Sequence, residues 1–460
     1  MKYVTYICTA ALLCLSIQLA EAQQEGLSIH LAETNNTLRA ESIQLTSGRT
    51  GWKLQIPGNR PLATVAYEEG LIFVGGGFGS YEFYAIDAKT GNVKWIYKTG
   101  DDGPTAAVVK RGYVVFNTES CIIYVLKAAT GEKVWEKWLG DPLMSQPAVD
   151  DHNVYMVYPG SDGSHHLACM RLESGDDLWD TKIAGDVVSA PILDNGSVYL
   201  TCFDGTVYRY NAAHGDLIWS QKKNATCAPT IYDNRIFVSL REERSVGSDS
   251  VTQYEGLVTL DNTTGKQEQR DLWAQRHAPY LVYGRASAKT EQSASLDASV
   301  GFGSAPGAAK LDQAKENVGQ YSVAGCWAYQ GSRSIVKNGY SYNAMGDKIQ
   351  GIDIKTGKEK WSYTYAVDEE GIGGRVLTPP AYANSKLFLG SGTGNVLCID
   401  EKNGSVLWQE EIDGSVSFQP AVAHGMVFVS CDNGLLYGIH TGDKNDDGWY
   451  MWGGNSGHNK

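Results

Sequence analysis

Adjacent histidines His165 and His166 follow the turn-forming run Gly160-Ser-Asp-Gly163, and histidine is the side chain that exchanges protons near neutral pH or ligates a metal. No carboxylate or cysteine stands at ligand spacing beside them in the chain, so a hairpin tip carrying solvated histidines is the competing reading. Arg276-His277 and Arg375, the latter after Gly371-Ile-Gly-Gly374, add cations and a base, and Arg241 belongs to the charged run Leu240-Arg-Glu-Glu-Arg244. A His or Tyr base beside an arginine that neutralises a carboxylate is what proton removal next to a uronate requires. Further on, Asp443-Lys-Asn445-Asp-Asp447-Gly448 has the alternating oxygen ligands and bend glycine of a calcium loop. The twelfth position holds Gly454 where an EF-hand places glutamate, so a polar turn in which Asp443, Asn445 and Asp447 serve their own backbone stands against calcium binding. The 9 cysteines include no Cys-x-x-Cys and no adjacent pair, which argues against haem attachment, a zinc motif and a disulfide framework and for buried apolar thiols.

The elements that must position these residues are announced by a repeat. The segment Ala85-Ile-Asp87-Ala-Lys-Thr90-Gly91-Asn-Val-Lys-Trp95 recurs as Gly131 with Trp135, Gly175 with Trp179, Gly215 with Trp219, Gly357 with Trp361 and Gly404 with Trp408. Gly265 keeps the turn but has Gln269 where the tryptophan belongs. From Gly91 to Gly404 the glycines step by 40, 44, 40, 50, 92 and 47 residues, so the step of 92 is either two periods or one period with a long insertion. A second signature precedes each turn, with prolines at Pro147, Pro191, Pro229, Pro380 and Pro420, where a strand begins at an edge or bend. Apolar runs such as Val198-Tyr-Leu-Thr lead into hairpin chemistry such as Asp204-Gly205, which makes each unit four short antiparallel strands.

The turn accounts for its own residues. Asp87, and its equivalents Asp261, Asp353 and Asp400, accept backbone N–H groups at the end of the third strand, and the glycine supplies the positive φ that reverses the chain. The tryptophan opens the fourth strand with a flat apolar ring for the neighbouring unit and an indole N–H in need of an acceptor.

Over roughly residues 51–452 this pattern resembles the pyrroloquinoline-quinone-type repeat, the tryptophan-docking motif of quinoprotein dehydrogenases and of the outer-membrane assembly propeller. The resemblance implies an all-β, eight-bladed β-propeller of four-stranded blades, with a divergent last turn near Thr441-Gly442. Gly51-Trp52-Lys-Leu-Gln-Ile reads as a fourth strand lacking its first three and so as the segment that closes the circle, with Trp449 to Trp452 as its competitor. Eight blades place Cys202 opposite Cys431 and Cys169 opposite Cys398, leaving Cys202 with Cys227 as the one pair in neighbouring blades.

Two segments break the rhythm: residues 240–252 lengthen a hairpin in the fifth unit, and an Ala/Ser/Gly-rich insertion runs from about 284 to 320 in the sixth. His277-Ala-Pro279-Tyr-Leu281 is a candidate inner strand of blade six. At the N-terminus Lys2, an apolar run from Ile7 to Leu19 and Ala20-Glu21-Ala22 form a secretory signal, with residues 23–50 as an extension and 453–460 as a tail. The expected address is therefore the periplasm or exterior. A formal charge of -13 disfavours nucleic acid, and no later apolar run is long enough to span a membrane.

Three readings follow. The favoured one is a non-enzymatic binding or assembly propeller, a monomer that engages a protein or cell-envelope component and needs no cofactor. The second is a quinoprotein oxidoreductase with pyrroloquinoline quinone over the central channel beside calcium; the catalytic members implied by the resemblance carry an adjacent cysteine pair that this chain lacks. The third is a propeller polysaccharide lyase with a carbohydrate ligand, built on the His, Tyr and Arg side chains above.

Overall fold

The computed structural model describes residues 27–30, 38–140, 146–160, 163–185, 190–202, 204–225, 227–245, 251–274, 333–345, 348–365 and 377–460. They form eight antiparallel sheets, each built on a four-stranded meander whose first strand is innermost. Blade 1 comprises Ala66–Glu68, Leu71–Gly75, Glu82–Asp87 and Val93–Lys98, and blade 2 runs from Val108–Lys110 to Lys133–Trp138. Blade 3 comprises Ala148–Val149, Asn153–Pro159, His165–Arg171 and Asp177–Ile183, and blade 4 runs from Ile192–Asp194 to Leu217–Lys222. Blades 5, 6 and 7 begin at the inner strands Thr230–Tyr232, Ile335–Lys337 and Ala381–Ala383. Among the described residues no helix is long and apolar enough to cross a membrane.

Blade 8 is built from both ends of the chain. Its first three strands are Ala421–Ala423, Met426–Ser430 and Leu435–His440, and its fourth is Thr50–Gln55, which pairs Trp52 with Gly438. The N-terminal strand therefore closes the ring as its sequence indicates. Glu41–Gln44 adds a fifth strand there, and Leu27–His30 adds one to the outer edge of blade 1. The segment from Trp449 to Trp452 does not compete for the closing position; it enters the ring's axis.

Each proline of the second signature sits immediately before an inner strand: Pro147 before Ala148, Pro191 before Ile192, Pro229 before Thr230, Pro380 before Ala381 and Pro420 before Ala421. An inner strand has no strand of its own blade on its axial side, so the missing proline N–H costs no bond within the blade's ladder. The third residue of the second strand is aromatic in most blades (Phe73, Tyr155, Tyr199, Phe237, Tyr342, Phe388 and Phe428) and is buried between sheets.

The tryptophans couple the blades. Trp95 donates its indole N–H to the Ala128 carbonyl of blade 2 at 3.0 Å, and the same bond recurs from Trp52 to Ala88, Trp135 to Leu172, Trp179 to Ala212, Trp219 to Asn262 and Trp361 to Glu401. Each ring lies beneath the next blade's turn. At Gly131 the backbone φ is +73° and a Cβ would come within 2.7 Å of Trp95, so glycine is required there both for conformation and for room. The turn aspartates behave as their positions suggest: Asp87 Oδ1 accepts from the Thr90 amide and hydroxyl, each at 2.9 Å, and Asp261 Oδ1 from those of Thr264.

Two seams differ. Gln269 replaces the ring between blades 5 and 6; the Asp271 carboxylate stands under Gly357 and accepts from Gln269 Nε2 at 2.7 Å. Between blades 7 and 8 the Arg49 guanidinium lies 4.5 Å from the Trp408 ring centre, donates to the Thr441 carbonyl and faces the buried Glu410 carboxylate at 3.6 Å.

The step of 92 residues resolves as one period with a long connection. Gln267–Ala274 ends blade 5 and Ile335–Lys337 begins blade 6, so His277–Leu281 is not the inner strand of blade 6. The 284–320 insertion lies outside the described residues. The lengthened hairpin of blade 5 is present as strands Arg235–Ser245 and Val251–Asp261 of 11 residues each.

Trp95→Ala is expected to cost about 3–5 kcal/mol, since it empties a buried ring site and strands the Ala128 carbonyl. Trp408→Ala should cost clearly less, its ring being half-buried against Arg49 and without a turn above it. Urea midpoints of the two variants read the difference, and equal losses would contradict the assignment of stability to docked rings.

Candidate functional site

In a ring of such meanders, the turns between second and third strands and the connections from one blade to the next share one face; the remaining turns lie on the other. His165 and His166 open the third strand of blade 3 and so belong to the first, loop-bearing face. Arg241 lies toward the same end of its strand, in the lengthened hairpin of blade 5. Arg276, His277 and Arg375 lie outside the described residues, in connections whose flanking strands end on that face. The topology thus places the described candidates His165, His166 and Arg241 toward one face.

At the rim of blade 3 the histidine reading acquires a carboxylate that sequence spacing had concealed. Strand pairing sets Tyr158 and Lys182 opposite His166, and Asp180 opposite Ala168. Because alternate residues share a sheet face, Tyr158, Ser164, His166, Asp180 and Lys182 all project from the same side. His166 Nδ1 is 2.5 Å from Asp180 Oδ1, and His166 Nε2 is 2.8 Å from Ser164 Oγ. Tyr158 donates to the other Asp180 oxygen, and its ring stacks on the imidazole at 5.2 Å between centres. The imidazole is 23 % exposed and the carboxylate 41 %, so the group opens to solvent.

The second feature is the axis itself. The chain enters from the face opposite the loops, where the His424 amide donates to Asp447 Oδ1 at 3.0 Å, and then climbs along the inner strands. Trp449 and Val422 exchange two backbone hydrogen bonds, the Tyr67 amide donates to the Tyr450 carbonyl, Val149 to Ser456 and Leu193 to Gly457. Those partners belong to blades 8, 1, 3 and 4, so residues 449–460 fill the ring from within. Gly453 donates to Gln419 Oε1 at 2.9 Å near the loop-bearing end. Trp449 and Trp452 are fully buried, and Arg333 donates to the Pro229 carbonyl from Nε at 3.0 Å and from Nη2 at 2.8 Å and to the His458 carbonyl from Nη1. Burial pulls the Arg333 guanidinium down to about 10.

The remaining sequence candidates separate. Lys386 Nζ bridges Asp443 Oδ2 at 2.9 Å and Asp446 Oδ1 at 2.7 Å, Asp443 Oδ1 accepts from the Asn445 amide, and Asp447 is engaged by His424. Asp446, rather than Asn445 or Asp447, shares the cation with Asp443. Among the described residues no group of three or more His, Cys, Asp or Glu could hold a metal ion. Cys202 and Cys227 are both buried thiols that are not joined to each other, and the other described cysteines, Cys121, Cys169, Cys398 and Cys431, are buried thiols as well. Burial pushes the Cys169 and Cys398 thiols up to about 12, which keeps them protonated. An acidic pair on the loop-bearing face carried no motif. Glu119 is pushed up to about 7 by burial and then by Asp102, beside an Asp101 carboxylate that accepts from Ser120.

Blade number, strand order and docked rings together define an eight-bladed propeller of the quinone-type repeat. Residues 37–136, 119–278 and 345–449 match the PQQ_2 family described as outer membrane protein assembly factor BamB, and the chain belongs to that family. Among curated proteins none matches the sequence. BamB from Moraxella catarrhalis aligns over 87% of this chain and 100% of its own with 12% identity and a TM-score of 0.56. A quinohemoprotein alcohol dehydrogenase from Pseudomonas putida HK5 aligns over 85% of this chain and 75% of its own with 12% identity and a TM-score of 0.57. A europium-containing methanol dehydrogenase covers 90% of this chain and 94% of its own at 13% identity and a TM-score of 0.52. At these identities what is shared is the fold.

The residues of the axis do not fit a quinone at the depth of the plug, where it would have to displace Trp452 and His458. His458 is fully buried, with Nδ1 2.9 Å from the Trp452 carbonyl and Nε2 2.8 Å from that of Pro147. Burial, opposed by these contacts and aided by Arg333, pulls its imidazole down from 6.5 to about 4. Between those two values the unfolded chain holds the proton and the folded chain does not, so the stability contributed by the neutral ring is complete above 6.5 and lost as pH falls toward 4. The urea midpoint should therefore drop from pH 7 to pH 4.5, and drop less in His458→Gln; an equal drop in the variant would place the titration elsewhere.

Proposed function

We propose that this protein is an exported binding and assembly scaffold of the cell envelope, whose loop-bearing face engages a protein or envelope partner. The observation that carries the reading is the filled axis: residues 449–460 occupy the ring from within, so recognition falls to the rim and its loops. Family membership supports it, the matching family being described as an assembly factor. Export rests on the apolar run from Ile7 to Leu19 and the Ala20-Glu21-Ala22 site. The chain acts as a monomer here, each ring presenting one such face.

The quinone-dependent reading draws on the shared fold of the alcohol and methanol dehydrogenases. It is disfavoured by the plug and by the lack of an adjacent cysteine pair anywhere in the sequence. Calcium at Asp443, Asn445 and Asp447 would have to displace the Lys386 ammonium from Asp443. No observation specifically favours the lyase reading.

Two measurements test the proposal. Photo-crosslinkers at Tyr81 and His165, on the loop-bearing face, are expected to trap an envelope component, while one at Lys402, on a turn of the opposite face, traps none; the reverse pattern would overturn it. Pyrroloquinoline quinone with calcium should leave the melting temperature unchanged. A ligand bound only to the folded state at a hundred times its dissociation constant would add about 2.7 kcal/mol, and a gain requiring both components would install the oxidoreductase reading instead.

A further inference from the structure

We propose that blade 3 carries, beyond any scaffold role, a nucleophilic serine, Ser164, that transfers acyl groups from carboxylic esters to water. The order of contacts assigns the roles. A carboxylate only accepts, so Asp180 takes the proton of His166 Nδ1, and Nε2 is left with the lone pair that receives the Ser164 hydroxyl at 2.8 Å. Nucleophile, base and orienting carboxylate thus stand in series, the arrangement by which a weak hydroxyl nucleophile is activated on unrelated folds.

The fold holds each member. Ser164 closes its turn by accepting from the Gly160 amide at 2.7 Å, and the Gly163 amide donates to the Gly160 carbonyl at 2.9 Å, so the serine backbone is pinned. Tyr158 positions Asp180 through its second oxygen and covers one face of the imidazole. A lone surface hydrogen bond gains little over water, but bonds in series on a half-buried ring select one tautomer and one orientation.

In the reaction the Ser164 oxygen forms a bond to the ester carbonyl carbon while its proton passes to His166 Nε2. The tetrahedral adduct collapses with cleavage of the carbon–oxygen bond to the alcohol portion, which takes that proton and departs. Water then gives a proton to Nε2 and attacks the acyl-serine, and the proton returns to the Ser164 oxygen as the carboxylic acid leaves. Ser164 and His166 are the catalytic residues, with Asp180 and Tyr158 as positioning residues. The exposure of the imidazole and carboxylate suits an ester presented from solvent rather than one enclosed by the protein.

The test uses the full-length protein with a fluorophosphonate reagent, peptide mapping of the adduct and hydrolysis of 4-nitrophenyl acetate. One adduct on Ser164 is expected, and Ser164→Ala should remove it and bring hydrolysis to the reagent blank. His166→Gln and Asp180→Asn should each slow labelling by about 10²-fold or more, with Asp180→Asn lowering kcat rather than raising KM. Circular dichroism and melting verify that each variant is folded. Absence of an adduct on Ser164, or labelling that is indifferent to His166→Gln and Asp180→Asn in folded protein, would overturn the proposal.

Discussion

The indole N–H that a tryptophan of one blade donates to a backbone carbonyl under the turn of the next is the contact on which the ring depends. It joins two requirements in one place, a glycine whose missing side chain admits the ring and a tryptophan that supplies both apolar area and a directed hydrogen bond, and in most blades an aspartate or asparagine shapes the turn as well. Four-stranded sheets of this size bury too little alone. Stacked through docked rings from Trp52 to Trp219, and again at Trp361, they share continuous cores.

Where the ring is lacking or displaced the protein uses charge. The Asp271 carboxylate stands in for a ring between blades 5 and 6, and Arg49 and the buried Glu410 tie the N-terminal strand to blades 7 and 8. The seam without a tryptophan is also the one whose inter-blade connection is longest. From within, the C-terminal plug bonds to the inner strands of blades 8, 1, 3 and 4 and so fastens closure from both termini. A filled axis and a loop-bearing face divide the molecule into a part that holds the ring and a part that carries its inter-blade connections.

Much of this was legible in the sequence because the determinants are local. The Gly131 to Trp135 spacing, the proline before five of the eight inner strands and the fourth-strand character of Gly51 to Ile56 each depend on a few consecutive residues, and all three appear where expected. What stayed hidden was set by register and distance. Asp180 lies fourteen residues from His166, yet meets it because the strands pair Ala168 with Asp180. Trp449 to Trp452 has the composition of a docking strand, and only the ring's geometry shows that its place is the axis. The Asp443 loop has calcium spacing, but the side chain that reaches it, Lys386, comes from a neighbouring blade.

Native-state hydrogen exchange at the turn glycines tests the dependence on docked rings most directly. Each of these amides donates to the residue four positions before it: Gly131 to Lys127, Gly175 to Arg171, Gly215 to Asn211, Gly357 to Asp353 and Gly404 to Asp400. The backbone hydrogen bond of each glycine is therefore matched, while the group beneath differs. Gly131, Gly175, Gly215 and Gly404, each over a tryptophan, should exchange with the free energy of global unfolding, while Gly357, over Asp271, should exchange through a lower-energy opening of the seam between blades 5 and 6. Equal protection at all five turns, or greater protection at Gly357, would contradict the account.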